Sequence, residues 1–271
     1  VVSQTKADNM FQITPSASAA KVIANDNCFQ VCFTDPNQGT ASADYIASKG
    51  LATKVAVIYN SSDAYSSGIY ANFKAEAAAK GLDLVASEAF TGDSKQDFSS
   101  QLSKIKASGA ELIFLPIYYQ EASLILSQAK NAGITAKFFG CDGLDGLLNI
   151  ENFDKSLAEN VMLLTPFAAN ATDETTKKFV AAYNAKYDPS TLNQFAADAY
   201  DAVYIVKAAA EKAGITGDMS VSDICNALKG AMTEITVDGV TGSGMTWKAT
   251  GEVNKEPKAV KIENGEYQPM D

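Results

Sequence analysis

Serine, tyrosine and aspartate must carry whatever chemistry this chain performs, because its 271 residues include neither histidine nor arginine. They gather behind short β-like runs. Residues 11–14 lead into Pro15-Ser16-Ala17-Ser18, and residues 54–59 into a polar loop ending in Asp63-Ala64-Tyr65. Residues 111–117 lead into Tyr118-Tyr119, and residues 137–141 into Asp142-Gly143. Serines ahead of a helix either cap it or hold an anion, since both uses draw on the same free N–H groups. Paired tyrosines at a strand end divide, one toward the core and one toward a cleft, and the order of the two is left open. An aspartate before glycine makes a turn or pairs with a ligand ammonium. No hydroxyl in these runs stands beside a base, so nucleophilic catalysis is not indicated.

The missing residue types exclude more. A Ser-His-Asp triad and a histidine-bearing zinc site are ruled out, as is a guanidinium clamp for a carboxylate or phosphate. A bound anion would rest on backbone N–H groups, hydroxyls, helix N-termini or lysine. A formal net charge of −10 argues against nucleic acid, which needs a basic footprint. Cys28, Cys32, Cys141 and Cys225 form no metal-binding pair spacing and read as small buried residues. No metal or other cofactor is implied. Val1-Val2-Ser3-Gln4 has neither the charged nor the apolar region of a secretory signal, so the amino end is expected to be processed or truncated.

The elements that must position these residues follow a regular phrase. Strand-like runs at 54–59, 82–90, 111–119, 137–141 and 161–167 alternate with helical patterns such as Ile69, Phe73, Ala77 and Phe98, Leu102, Ile105. Gly50, Gly81, Gly109 and Gly133 end the helices. This is an α/β chain with a parallel sheet covered on both faces. Beyond Phe167 three helices follow, starting near Thr172, Thr191 and Ser220, and then a strand at 234–240. The tail reads as a hairpin of 244–248 and 259–263 turning through 249–252, with Asn264-Gly265 as a further turn. The three helices need a sheet of their own, for which only 11–14 and 28–33 remain. Ligands in such folds bind at the carboxyl ends of the strands, where the serines, tyrosines and Asp142 lie.

The runs Thr14-Pro15-Ser16-Ala17-Ser18, Phe33-Thr34-Asp35 with Gln38-Gly39, Asp63-Ala64-Tyr65 with Gly68, Tyr118-Tyr119, Asp142-Gly143 and Ala199-Tyr200-Asp201 together resemble one family. It is that of the branched-chain (leucine/isoleucine/valine) amino acid binding proteins of ABC importers, with the type I periplasmic-binding-protein fold. The resemblance implies two doubly wound parallel-sheet lobes joined by three crossovers, near Thr34-Asp35, Phe167-Ala168 and Gly239-Val240. Residues 1–34 and 168–239 would form the first lobe, and 35–167 and 240–271 the second. The first lobe would be incomplete, lacking roughly 100 residues that relatives carry ahead of the Thr-Pro-Ser run. It also implies a non-enzymatic, extracytoplasmic protein that presents an aliphatic amino acid to an ABC transporter permease, with a lipid anchor on a preceding segment as a further expectation. The alternative is a receptor module of the same fold for an amide, urea or short peptide. Carried over by position, Ser16, Ala17 and Ser18 would hold the α-carboxylate and ammonium. Tyr65 would close from the other lobe, Asp142 would pair with the ammonium, and Tyr118 or Tyr119 would line the pocket. Ala197 or Asp198 would approach the cleft, and Leu144 stands where many relatives carry tryptophan.

Overall fold

The computed structural model describes residues 1–270. The chain opens with α1 (Val2–Ala7), β1 (Gln12–Thr14) and β2 (Cys28–Gln30), and β1 and β2 pair in parallel. Then comes the alternating series: α2 (Asp35–Ser48), β3 (Lys54–Asn60), α3 (Ala64–Ala79), β4 (Asp83–Phe90), α4 (Ser99–Ser108), β5 (Leu112–Leu115), α5 (Tyr119–Asn131), β6 (Lys137–Gly140) and β7 (Met162–Thr165). Helices α6 (Glu174–Asn184), α7 (Gln194–Ala213) and α8 (Val221–Met232) precede the terminal strands β8 (Lys258–Glu263) and β9 (Glu266–Pro269).

Strands β3 to β9 form one sheet of order β4-β3-β5-β6-β7-β8-β9, parallel up to β7 and antiparallel at β8 and β9. The strands read as continuous apolar runs because both faces are covered. Along β3 the side chains alternate. Ala56 and Ile58 pack with Leu102, Ile105 and Ile125 on one face, Val55 and Val57 with Ile46, Ile69 and Phe73 on the other. From β3 the chain goes first to β4 on one side and then crosses to β5 on the other. The switch point therefore lies between β3 and β5, and in sheets of this kind ligands bind there, at the carboxyl ends of the strands. The residues that follow these two strands lead directly to Tyr65 and Tyr118.

The second unit is built on α7, α8, β1 and β2, with Phe29, Val31, Ile205, Leu228 and Met232 in one apolar cluster. Two expectations for the tail are corrected here. Met245, Trp247 and Val253 belong to this same cluster. Trp247 Nε1 donates to the Gln30 carbonyl at 2.8 Å, and the Gln30 N–H donates to the Gly251 carbonyl at 3.1 Å. The aromatic ring and these backbone bonds hold residues 240–253 against β2. The return to the large sheet thus falls after Val253, not at Gly239-Val240, and the second unit extends past residue 239. Asp271, the last residue assigned to the other lobe, lies outside the described residues. Nor do 244–248 and 259–263 pair with each other. Trp247 bridges Val253, while β8 pairs with β7 and turns at Asn264-Gly265 into β9. The expected strand at 234–240 is reduced to a single bridge, Val237 to Met245.

Candidate functional site

Asp63 caps α3, its carboxylate accepting the Ser66 N–H at 2.9 Å. That cap starts the helix so that Tyr65, in its first turn, points back over the switch point. The Tyr65 hydroxyl donates to Asp142 Oδ1 at 2.7 Å and accepts the Gly143 N–H at 2.9 Å. Only glycine fits beside that hydroxyl, since a Cβ at residue 143 would stand 2.7 Å from Tyr65 Oη and 2.8 Å from the Ile117 carbonyl. Tyr118 lies flat on Tyr65, with ring centroids 4.8 Å apart and an interplanar angle of 21°.

The turn bearing Asp142 is gripped from both units. From α2, Gln38 Oε1 accepts the Asp142 N–H at 3.4 Å. From α7, Gln194 Nε2 donates to the Asp142 carbonyl at 2.8 Å, and the Gln194 N–H donates to Asp145 Oδ2 at 2.6 Å. Beside this contact, Lys255 Nζ reaches Thr241 Oγ1 at 2.5 Å and Asp198 Oδ1 at 3.4 Å, all three residues being buried. Asp198 is buried, and its partner is a lysine of this chain.

The serines behave differently from one another. Neither caps the short turn at Ala20–Ile23, which has no side-chain cap. Instead Thr14 Oγ1 accepts the Ala17 N–H at 2.9 Å and folds the loop. Ser16 is half-buried and Ala17 exposed, while Ser18 is buried, and its carbonyl accepts the Asp35 N–H at 3.0 Å. Tyr119 is corrected out of the group. Its ring lies against Gly146 and packs with the apolar cluster of the large sheet, because the first turn of α5 directs the two tyrosines oppositely. Leu144 likewise turns inward, against Gly140, and lines no cleft.

The structure therefore brings Tyr65, Tyr118 and Asp142 together, while the Ser18 carbonyl is bonded to the Asp35 N–H. Asp35, Gln38 and Gln194 are the residues that sequence reasoning passed over. Their signal is a polar side chain where an amphipathic helix should bury an apolar one: Asp35, Gln38 and Ser42 share the buried face of α2, as Gln194, Asp198 and Asp201 share that of α7.

The electrostatics favour a cationic visitor. Burial pushes the Asp142 carboxyl up to about 6, against the Tyr65 hydrogen bond that stabilises its charge. Burial likewise raises Asp35, Asp145 and Asp198 to about 7 each, Lys255 opposing the rise at Asp198. An ammonium brought to such a group restores the charged form. Among the described residues no cluster of three or more histidine, cysteine or acidic side chains is arranged to hold a metal ion. Asp142 is closed over in this structure. A groove of about 360 Å³ near the first crossover, lined by Thr34, Asn37, Thr40, Lys248 and Glu252, does not reach it.

A pH dependence of stability follows. These four carboxyls bind protons more tightly folded than unfolded, so their contribution is fully present below about 4 and is lost as pH rises through 6 to 7. Asp26 works oppositely: hydrogen bonds from Lys229 and Lys6 hold it down near 2, and its contribution is lost only as pH falls below about 4. The urea midpoint of the ligand-free chain is expected to be higher at pH 5 than at pH 8. A midpoint that climbs from pH 5 to pH 8 would contradict the burial of these charges.

A family profile described as "Periplasmic binding protein" matches residues 1–266. The chain is 32% identical over 221 residues to Leu/Ile/Val-binding protein homolog 3 of Brucella melitensis, a match covering 80% of this chain and 58% of that protein. It is 29% identical over 223 residues to the leucine-, isoleucine-, valine-, threonine-, and alanine-binding protein of Pseudomonas aeruginosa, covering 81% and 58%. The chain thus spans about 58% of the length of these curated relatives. Among solved structures it resembles the leucine binding protein LivK of Thermotoga maritima, at a TM-score of 0.86 and 24% identity, covering all of this chain and 75% of that one. The substrate binding protein LivJ of Streptococcus pneumoniae, solved with isoleucine, matches at a TM-score of 0.81 and 28% identity, covering 98% and 73%.

Proposed function

The chain belongs to the periplasmic binding protein family, a non-enzymatic group with the type I fold found in its structural relatives, and from that premise we propose that it binds an aliphatic amino acid between its two units. In this reading the loaded protein works outside the cytoplasm and is read by the permease of an ABC importer. Ser18 and Tyr118 line the ligand, and Asp142 receives its ammonium. The observation that carries the proposal is the Asp142 turn, whose buried carboxylate is held by Tyr65 and whose backbone is bonded by Gln38 from one unit and Gln194 from the other. A ligand bound there touches both units. It stabilises the closed arrangement by its difference in affinity for closed and open forms, and that arrangement is the signal a permease recognises. The relatives' names point the same way, toward leucine, isoleucine and valine. We assign 1–34 with 168–253 to one unit and 35–167 with the terminal strands to the other.

Calorimetric titration of the chain with L-leucine and with 4-methylpentanoate, its analogue without the amino group, tests this. Leucine is expected to bind at least about 30-fold more tightly, the consequence of a buried charge pair worth about 2 kcal/mol or more. Equal affinities, or no heat with leucine, isoleucine or valine, would overturn the proposal.

A further inference from the structure

Helix α7 belongs to one unit, and its amino end is completed by the other. Its own cap, the Asn193 side chain, accepts the N–H groups of Phe195 at 3.1 Å and Ala196 at 3.3 Å, which leaves the first N–H of the helix, that of Gln194, to be met from elsewhere. Asp145 meets it. Its carboxylate, from the turn after β6, accepts that N–H at 2.6 Å, with Asp145 only 5% exposed and Gln194 fully buried. The turn is tied to the ligand side of the site, because the Asp145 N–H donates to the Asp142 carbonyl at 2.9 Å. A second bond lies beside the first: Asn149 Nδ2 donates to the Leu192 carbonyl at 3.2 Å. Residues 145–149 are part of the large unit, and 192–194 are part of the other.

The start of a helix of 20 residues carries free N–H groups and the positive end of its dipole, so an acceptor there is stabilising. A cap drawn from the same unit steadies the helix in every state of the protein. A cap drawn from across the boundary exists only while the units are together, so its free energy is added to the closed form alone. We propose that Asp145 is a positioning residue that latches closure, capping α7 from the opposite unit and so setting how long an amino acid is held without touching it. The inference rests on the reading that the ligand is enclosed between the two units.

The donor can be deleted while Asp145 stays in place. Proline is well suited to the first position of a helix, and Asn193 already has the extended backbone that must precede it, with φ −154° and ψ −178°. Gln194→Pro removes the N–H, and Gln194→Ala, which loses the same side chain but keeps the N–H, is the reference. By calorimetry Gln194→Pro is expected to bind L-leucine about tenfold more weakly than Gln194→Ala, the size of a lost helix cap. Radiolabelled leucine should leave the preloaded proline variant about tenfold faster, with little change in its rate of binding, because the latch forms after the ligand has entered. 4-Methylpentanoate should weaken by the same factor, since the latch does not read the ammonium. With Asp145→Ala added to both chains, the proline and alanine variants should bind alike. Equal affinities while Asp145 is present, a difference that survives Asp145→Ala, or a loss confined to leucine would overturn the latch and leave the amino acid reading intact. If circular dichroism shows the proline variant unfolded, Asp145→Asn, which keeps an acceptor oxygen, and Asp145→Ala, which keeps none, make the same comparison. The asparagine variant should then bind leucine about tenfold more tightly, and equal affinities would overturn the latch. A parent chain that gives no heat with leucine would overturn both readings.

Discussion

Exchanging Asp142 for asparagine is expected to weaken the binding of L-leucine about 30-fold or more, the effect of removing one member of a buried, hydrogen-bonded charge pair. The substitution is close to isosteric. An asparagine oxygen still accepts the Tyr65 hydroxyl, and the backbone bonds to Gln38 and Gln194 do not involve the side chain. Stability should move the other way. The carboxyl, raised to about 6 by burial, opposes folding at pH 8, and the neutral amide removes that cost. A variant that binds poorly yet melts no lower than the parent at pH 8 separates the two roles. The analogue 4-methylpentanoate, with no ammonium to lose, should bind parent and variant alike. Unchanged leucine affinity, measured by calorimetry, would remove Asp142 from the site.

The second large effect is on the frame that carries Tyr65. Helices α2 and α3 touch at Gly39, where a Cβ would stand 2.4 Å from the Ile69 carbonyl and 2.8 Å from the Phe73 N–H. Backbone on the facing helix cannot yield as a flexible side chain does, so Gly39→Ala must force the helices apart. About 3 kcal/mol is expected, or a melting temperature lower by on the order of 10 °C. Gly230 in α8 has nothing within 4 Å of its would-be Cβ, so Gly230→Ala should be neutral or stabilising by up to about 1 kcal/mol. Thermal denaturation of the pair distinguishes a packing effect from a general intolerance of alanine. Equal melting temperatures would show that the helices part without cost.

Much of the large unit was legible in the sequence, and the reason is physical. Strands buried on both faces stand out as unbroken apolar runs, and their spacing of a strand plus a crossover helix leaves little choice of arrangement. Tyr65, Tyr118 and Asp142 could be placed together because each follows a strand of that sheet. The tail was harder. Residues 240–253 form bridges of single residue pairs, and what holds them to β2 is Trp247 and backbone bonds to Gln30 across more than 200 positions, which no local pattern announces. Reading the Asn264-Gly265 turn correctly did not identify the partners of β8. The gripping residues were missed for another reason. On α7 the buried face carries Gln194, Asp198 and Asp201 along its first half, before Ala202, Ile205 and Ala209. Seeking only apolar periodicity hides a face whose first half is polar because it meets another unit.

The central claim is that one amino acid lies between the two units with its ammonium on Asp142, and a crystal structure of the chain grown with L-leucine tests it most directly. The account predicts leucine against Tyr118 and Ser18, its nitrogen within hydrogen-bonding distance of an Asp142 carboxylate oxygen. Leucine seated elsewhere, or with its nitrogen turned away from Asp142 while the Tyr65–Asp142 bond stays closed, would contradict it.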